Sequence, residues 1–158
     1  MARYAEKRHL PFTPQQLFDL VADVERYPDF LPWLISVRVS RREGNTVWVN
    51  MVIGTLFIRR HFASKAMLNP PHRIDVVNQD DLFEHYQQTW TFQPDKDGGT
   101  MVEFQVEYEF RSRALQLLMG TFLEEAAKSM VNAFKHRARQ VYSRNDQGPV
   151  MNKAGGGP

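Results

Sequence analysis

The sequence predicts an α+β fold in which a strongly curved antiparallel sheet of about seven strands wraps around one long C-terminal helix. Three observations carry this. Apolar and polar residues alternate with period two from Ile35 to Phe110. Turn-forming residues cut that stretch at short intervals. From Ser112 onward the apolar spacing changes to three and four residues, which is helical.

Tyr4 to Leu10 reads as an opening strand, and Pro11-Phe12-Thr13-Pro14 as a helix start, with Thr13 as N-cap and Pro14 in the first helical position. Leu17, Phe18, Leu20, Val21 and Val24 recur at helical spacing until Tyr27-Pro28, where proline disfavours helix in the residue before it. Leu31-Pro32-Trp33 makes a second break, so two short helices follow the first strand. Turn signals then fall at Glu43-Gly44-Asn45, Asn69-Pro70-Pro71, Asn78 to Asp81 and Pro94 to Gly99, giving a meander. Its clearest strand is Met101 to Phe110, where Val102, Phe104, Val106, Tyr108 and Phe110 alternate with polar residues.

The last helix is read from about Ala114 to Tyr142, with Leu115, Leu118, Met119, Phe122, Ala126, Met130, Phe134, Ala138 and Val141 on its apolar face. At about 1.5 Å per residue it is roughly 40 Å long, far longer than a single strand, so the sheet must curl to cover it. Gly120 interrupts it at a cost of about 1 kcal/mol relative to alanine. Close packing against the sheet and room for a ligand both account for that glycine. Residues 1–145 are expected to form one domain, and the glycine-rich tail 146–158 to be disordered.

With 158 residues and 42% hydrophobic content, the chain suits one domain with a real core. A formal charge of +2 gives no ground for a DNA partner. The absence of cysteine excludes disulfides, zinc ribbons, iron–sulfur ligation and thiol catalysis. Arg3, Glu6, Lys7, Arg8 and His9 break up the first ten positions and no stretch is long enough to span a bilayer, so a cytoplasmic location, or one peripheral to an inner membrane, is expected.

Tyr27-Pro28-Asp29-Phe30-Leu31-Pro32-Trp33 is the most informative segment, a rigid apolar loop of a kind that solvent-exposed connections rarely are. It reads as a lid on one end of the core, as the mouth of an apolar pocket, or as both. This run, the order of elements, the Phe110-Arg111-Ser112-Arg113 junction and the helix segment Leu117 to Ala138 together resemble the coenzyme Q-binding START-like family, over nearly the whole chain. That family belongs to the polyketide cyclase, or helix-grip, superfamily and includes ribosome-association proteins of the RatA type.

The resemblance implies a helix-grip fold with a hydrophobic tunnel. It also implies ubiquinone as the bound ligand, with no covalent cofactor, and a non-enzymatic carrier role supporting respiration and quinone synthesis. Ribosome association is the alternative it leaves open, and a cyclase-type enzyme a third. The candidate ligand-binding residues are Tyr27, Pro28, Phe30, Leu31, Pro32 and Trp33 at the mouth, with the adaptable Met51, Met119 and Met130. Trp90, Phe104, Leu118 and Phe122 complete the set. An elongated cavity would suit an isoprenoid tail, each buried methylene contributing roughly 0.8 kcal/mol.

Lys128, Lys135, Arg137, Arg139 and Arg144 outnumber Glu124 and Glu125 on the last helix. They complement the helix dipole, and they also suit anionic lipid headgroups or ribosomal RNA phosphates. Arg59, Arg60 and His61 are expected to face Glu103, Glu107 or Glu109 across strands, and Asp80, Asp81, Glu84 and His85 to form a hydrophilic loop. No catalytic residues or metal ligands are assigned, since no phosphate loop, nucleophile elbow or metalloprotease motif occurs.

Overall fold

β1 (Ala2–Leu10) opens the chain in the computed structural model, which describes residues 1–143. Helix α1 (Pro14–Ala22) follows, capped as the sequence predicts. The Gln16 amide donates to Thr13 Oγ1 at 3.1 Å, and the Thr13 amide donates to Gln16 Oε1 at 2.9 Å. This reciprocal pair satisfies two N–H groups that a helix start otherwise leaves unbonded. α1 ends at Asp23, earlier than the apolar spacing suggests, and Pro28 lies inside a separate 3-10 turn, Val24–Asp29. The Tyr27 hydroxyl returns from this turn to donate to the Val21 carbonyl, one of the orphan acceptors at the end of α1.

The meander is β2 (Leu34–Glu43), β3 (Thr46–Gly54), β4 (Arg59–Asn69), β5 (Arg73–Asn78), β6 (Phe83–Pro94) and β7 (Thr100–Phe110). β1 closes on β7, so the seven strands run β1-β7-β6-β5-β4-β3-β2, every neighbouring pair antiparallel. Bulges interrupt β2 at Leu34/Ser36 and Val39/Arg41, and β6 at Phe83/His85. Each bends its strand and increases the local twist, which curls the sheet. The bulge in β6 also shifts parity, so Phe83 points inward with Trp90 and Phe92.

α2 (Arg113–Ala138) lies in the concave face and continues into a single π-helical turn, Arg139–Ser143. Its N-cap is Ser112, whose Oγ accepts from the Leu115 amide at 3.1 Å. Met119, Ala127, Met130, Val131, Phe134 and Ala138 meet the alternate residues Val102, Phe104, Val106 and Tyr108 of β7 in one core, and Ala126 is buried too. Arg144 and the tail 146–158 lie outside the described residues.

Some expectations are corrected. Arg59, Arg60 and His61 pair with Gly54, Ile53 and Val52 of β3, and β4 is separated from β7 by β5 and β6. His61 instead faces Asp80 at 3.6 Å, while Glu107 meets Arg3 and His85. Glu84 and His85 belong to β6 rather than to a loop. Asp80 has a structural role, accepting from the Ala63 and Leu82 amides and from Asn78 Nδ2. Gly120 allows no close helix-to-sheet approach, because a Cβ there would meet only Gln116 Cγ, at 3.9 Å.

Candidate ligand-binding cavity

Between α2 and the middle of the sheet lies an apolar cavity whose space for the centres of water-sized molecules is about 80 Å³. Its sheet wall comes from inward positions of β3, β4 and β5, namely Val49, Met51, Ile53, Phe62, Ser64, Ala66 and Val76, and from Phe83, Tyr86, Gln88, Phe104, Val106 and Tyr108 of β6 and β7. α2 contributes Leu123, Ala126, Ala127 and Met130. The two alanines explain why space remains, since a larger side chain at either position would project into it. Val24, Tyr27, Trp33 and Leu34, from the segment between α1 and β2 and the start of β2, complete the lining.

Among the described residues the wall carries no Asp, Glu, His, Lys or Arg. Its polar side-chain groups are the hydroxyls of Ser64, Tyr27, Tyr86 and Tyr108, the amide of Gln88 and the indole N–H of Trp33. Tyr86 donates to Gln88 Oε1 at 2.7 Å, which leaves the Gln88 amide hydrogens free to donate. Burial pushes the Tyr27, Tyr86 and Tyr108 hydroxyls up from the ordinary tyrosine range, so all are neutral across physiological pH. The cavity is therefore an uncharged chamber with a narrow polar strip.

A recess of about 30 Å³ adjoins it, sharing Val24, Tyr27, Ala66, Val76 and Gln88 as common wall. Trp90 lines the recess, and its buried indole N–H has no partner among the described residues. An unpaired buried donor costs about 1–3 kcal/mol. The recess is large enough for one water molecule or a ligand oxygen.

On the outer side, Pro32, Trp33, Gly54, Thr55, Phe122 and Ser129 line an open groove. Trp33 and Ala126 belong to both groove and cavity. The Trp33 ring meets Phe122 edge-on, with centroids 6.3 Å apart. The elongated tunnel expected from sequence is thus divided here into an inner chamber and an outer groove.

Of the thirteen residues expected at the ligand, the structure brings Tyr27, Trp33, Met51, Phe104 and Met130 to the cavity wall. Trp90 stands in the recess, and Pro32 and Phe122 in the groove. The others lie elsewhere. Pro28 is exposed, and Leu31 is buried in the core at 1% exposure. Phe30 packs edge-on against Tyr27 and Phe134, with the Arg137 guanidinium over its ring. Met119 is buried away from the cavity, and Leu118 is 44% exposed on another face of α2. Neither reaches the space that Leu123, Ala126, Ala127 and Met130 of α2 line. Sequence reasoning missed Val49, Phe62, Ser64, Ala66 and Val76, although the parity of each strand marks most of them.

A curved antiparallel sheet gripping a long helix around an enclosed apolar chamber defines the START-like, helix-grip class of binding fold. The match over residues 10–135 to the family described as polyketide cyclase / dehydrase and lipid transport shows that the chain belongs to that family. It is similar to the ribosome association toxin RatA of Rickettsia prowazekii (strain Madrid E), with 31% identity over 89% of this chain and 99% of that one. It is also similar to the mitochondrial coenzyme Q-binding protein COQ10 homolog B of Xenopus laevis, with 30% identity over 90% of this chain and 60% of that longer protein. The STAR-related lipid transfer protein of Xanthomonas axonopodis has the same fold, with a TM-score of 0.70 at 12% identity over 87% of this chain and 85% of that chain. Among the described residues no helix is long and apolar enough to cross a membrane.

Proposed function

We propose that the protein binds ubiquinone or a similar polyisoprenoid lipid in this cavity and carries it without chemical change, in support of respiratory electron transport and quinone synthesis. The observation that carries the reading is the uncharged, enclosed chamber with its polar strip of Ser64, Tyr86 and Gln88. Hydroxyl and amide donors suit the carbonyl oxygens of a quinone ring, and aromatic and aliphatic walls suit its faces. A chamber of about 80 Å³ does not hold a polyisoprenoid tail as well. The tail therefore leaves past Trp33 and Phe122 into the groove, and loading requires these rings to part. The wall has no charged acid or base to drive a reaction, and this favours binding over cyclisation. The similarity to a coenzyme Q-binding protein supports the choice of ligand.

Organic extraction of the purified protein followed by mass spectrometry tests this, with an unrelated protein from the same host as control. Stoichiometric ubiquinone is the expected result. An extract still empty after the protein has been incubated with quinone rejects the proposal.

A second reading is favoured by the relative named for ribosome association, which aligns over nearly its full length. It expects cosedimentation with large ribosomal subunits that falls steeply as salt rises, because phosphate contacts release counterions. Salt-insensitive or absent comigration removes it.

A further inference from the structure

The exposed apolar side chains are concentrated rather than scattered. Apart from Met1, the large hydrophobic residues exposed among the described residues are Leu56, Phe57, Leu117 and Leu118. Leu56 and Phe57 are 81% and 90% exposed and sit together at the tip of the β3–β4 hairpin. Single exposed leucines are ordinary, but an adjacent leucine and phenylalanine standing in water at a loop tip are costly unless something covers them.

The tip is held in this presentation by its backbone. The Thr55 amide donates to the Ile58 carbonyl at 2.7 Å, and the Phe57 amide donates to Thr55 Oγ1 at 3.3 Å. Gly54 has φ +149°, and a Cβ on it would lie 1.8 Å from the Ile58 oxygen. Only glycine permits this closure.

Two further features specify what covers the tip. Arg59 and Arg60 follow it directly, both exposed, and neither forms an ion pair among the described residues. Gly54 and Thr55 also border the groove that shares Trp33 and Ala126 with the cavity wall. Leu118, 44% exposed, lies one helical turn before Phe122 on α2. Glu125 is the acidic side chain in the groove wall.

We propose that the Thr55–Ile58 tip, with Arg59 and Arg60, docks the mouth of the cavity onto an anionic lipid bilayer. Leu56 and Phe57 enter the boundary between headgroups and acyl chains, and the two arginines meet lipid phosphates. Proximity of cationic groups to an apolar pair is the pattern an anionic interface attracts. On the C-terminal helix two of the cations are already engaged, Arg137 by Phe30 and Asp29 and Lys128 by Glu124 at 3.6 Å.

The test is flotation of the full chain with vesicles of phosphatidylcholine alone, and of equal parts phosphatidylcholine and phosphatidylglycerol. The chain is expected to float with the anionic vesicles and to lose binding as salt rises. Leu56→Ser with Phe57→Ser should weaken binding about a hundredfold. Arg59→Ala with Arg60→Ala should weaken it roughly thirtyfold and remove the preference for phosphatidylglycerol. Glu125→Gln should strengthen it slightly. The circular dichroism spectrum and melting temperature of the loop double variant should match wild type, since both side chains are exposed. A wild-type chain that stays with the free protein, or a loop variant that binds as wild type does, overturns the proposal. Binding to ribosomal subunits that depends on Leu56 and Phe57, without vesicle binding, overturns it too and reassigns the surface. The vesicles hold no quinone, so the result is independent of what the cavity contains.

Discussion

Trp33 and Phe122 meet edge-on, with ring centroids 6.3 Å apart, and this contact separates the inner chamber from the outer groove. One ring comes from the loop before β2 and the other from the middle of α2, so the contact ties the loop to the helix it covers. An aromatic pair of this geometry contributes about 0.5–1.5 kcal/mol beyond its buried area. Phe122→Leu keeps an apolar side chain but removes the pairing. Release of bound quinone to acceptor vesicles should then be up to roughly tenfold faster, while the fold is unchanged. Stopped-flow fluorescence reads that rate, and an unchanged rate would show that the ligand does not pass between these rings.

The Tyr27 hydroxyl caps α1 from a distance by donating to the Val21 carbonyl. Burial raises this hydroxyl well above the tyrosine range, so it remains a neutral donor. Tyr27→Phe keeps the ring against Phe30 and Phe134 and leaves a buried carbonyl without its partner. The expected loss is about 1–2 kcal/mol in urea denaturation. A loss within error of zero would mean that another donor replaces the hydroxyl.

The fold was largely legible because its two periods are clean. Val102 to Phe110 alternates in the sequence and is buried in alternation, and Thr13-Pro14 starts α1 as read. Sheet neighbours were less legible. Alternation tells which face Arg59 and Arg60 take, but the order of strands decides what stands beside them, and in a meander β4 lies between β3 and β5. The cavity was half legible. Aromatic and methionine residues draw attention by chemistry, whereas Ser64, Ala66, Ala126 and Ala127 shape the space by being small. Parity places small residues on the inner face but does not tell whether a neighbour fills the room they leave. The bulge that turns Phe83 inward has no clear sequence signal at all.

Arg73 holds Asp75 through two hydrogen bonds, at 2.8 and 3.1 Å, and Thr89 donates to the same carboxylate from β6. The Arg73 bond first, and the Thr89 bond with it, lower the carboxyl below its usual range, against the opposing effect of burial. A carboxylate with a depressed folded pKa contributes stability above its unfolded value, near about 3.9, and that contribution is lost as pH falls through the folded value. Asp75→Asn should therefore destabilise the protein at neutral pH by at most about 1 kcal/mol, because Arg73 is half exposed and screened by solvent. The gap between variant and wild type should close as pH drops below about 4. Urea titrations across that range check the sign. A gap that widens in acid would contradict the assignment.

Gly120 sits inside α2 with helical neighbours on both sides, and a Cβ added there would touch only the Gln116 side chain, at 3.9 Å. Neither a close contact with the sheet nor a positive φ requires glycine, so the residue costs helix stability without a local structural return. Glycine in a helix interior is about 1 kcal/mol less favourable than alanine, largely through the entropy of the unfolded chain. Gly120→Ala should raise unfolding free energy by about 0.5–1 kcal/mol and the melting temperature by roughly 1–4 °C. The same substitution adds no atom to the cavity wall, which α2 lines from Leu123 to Met130. Quinone retention should therefore equal that of wild type. A variant that melts higher but releases quinone more slowly would show that flexibility at this point of α2 helps the chamber open.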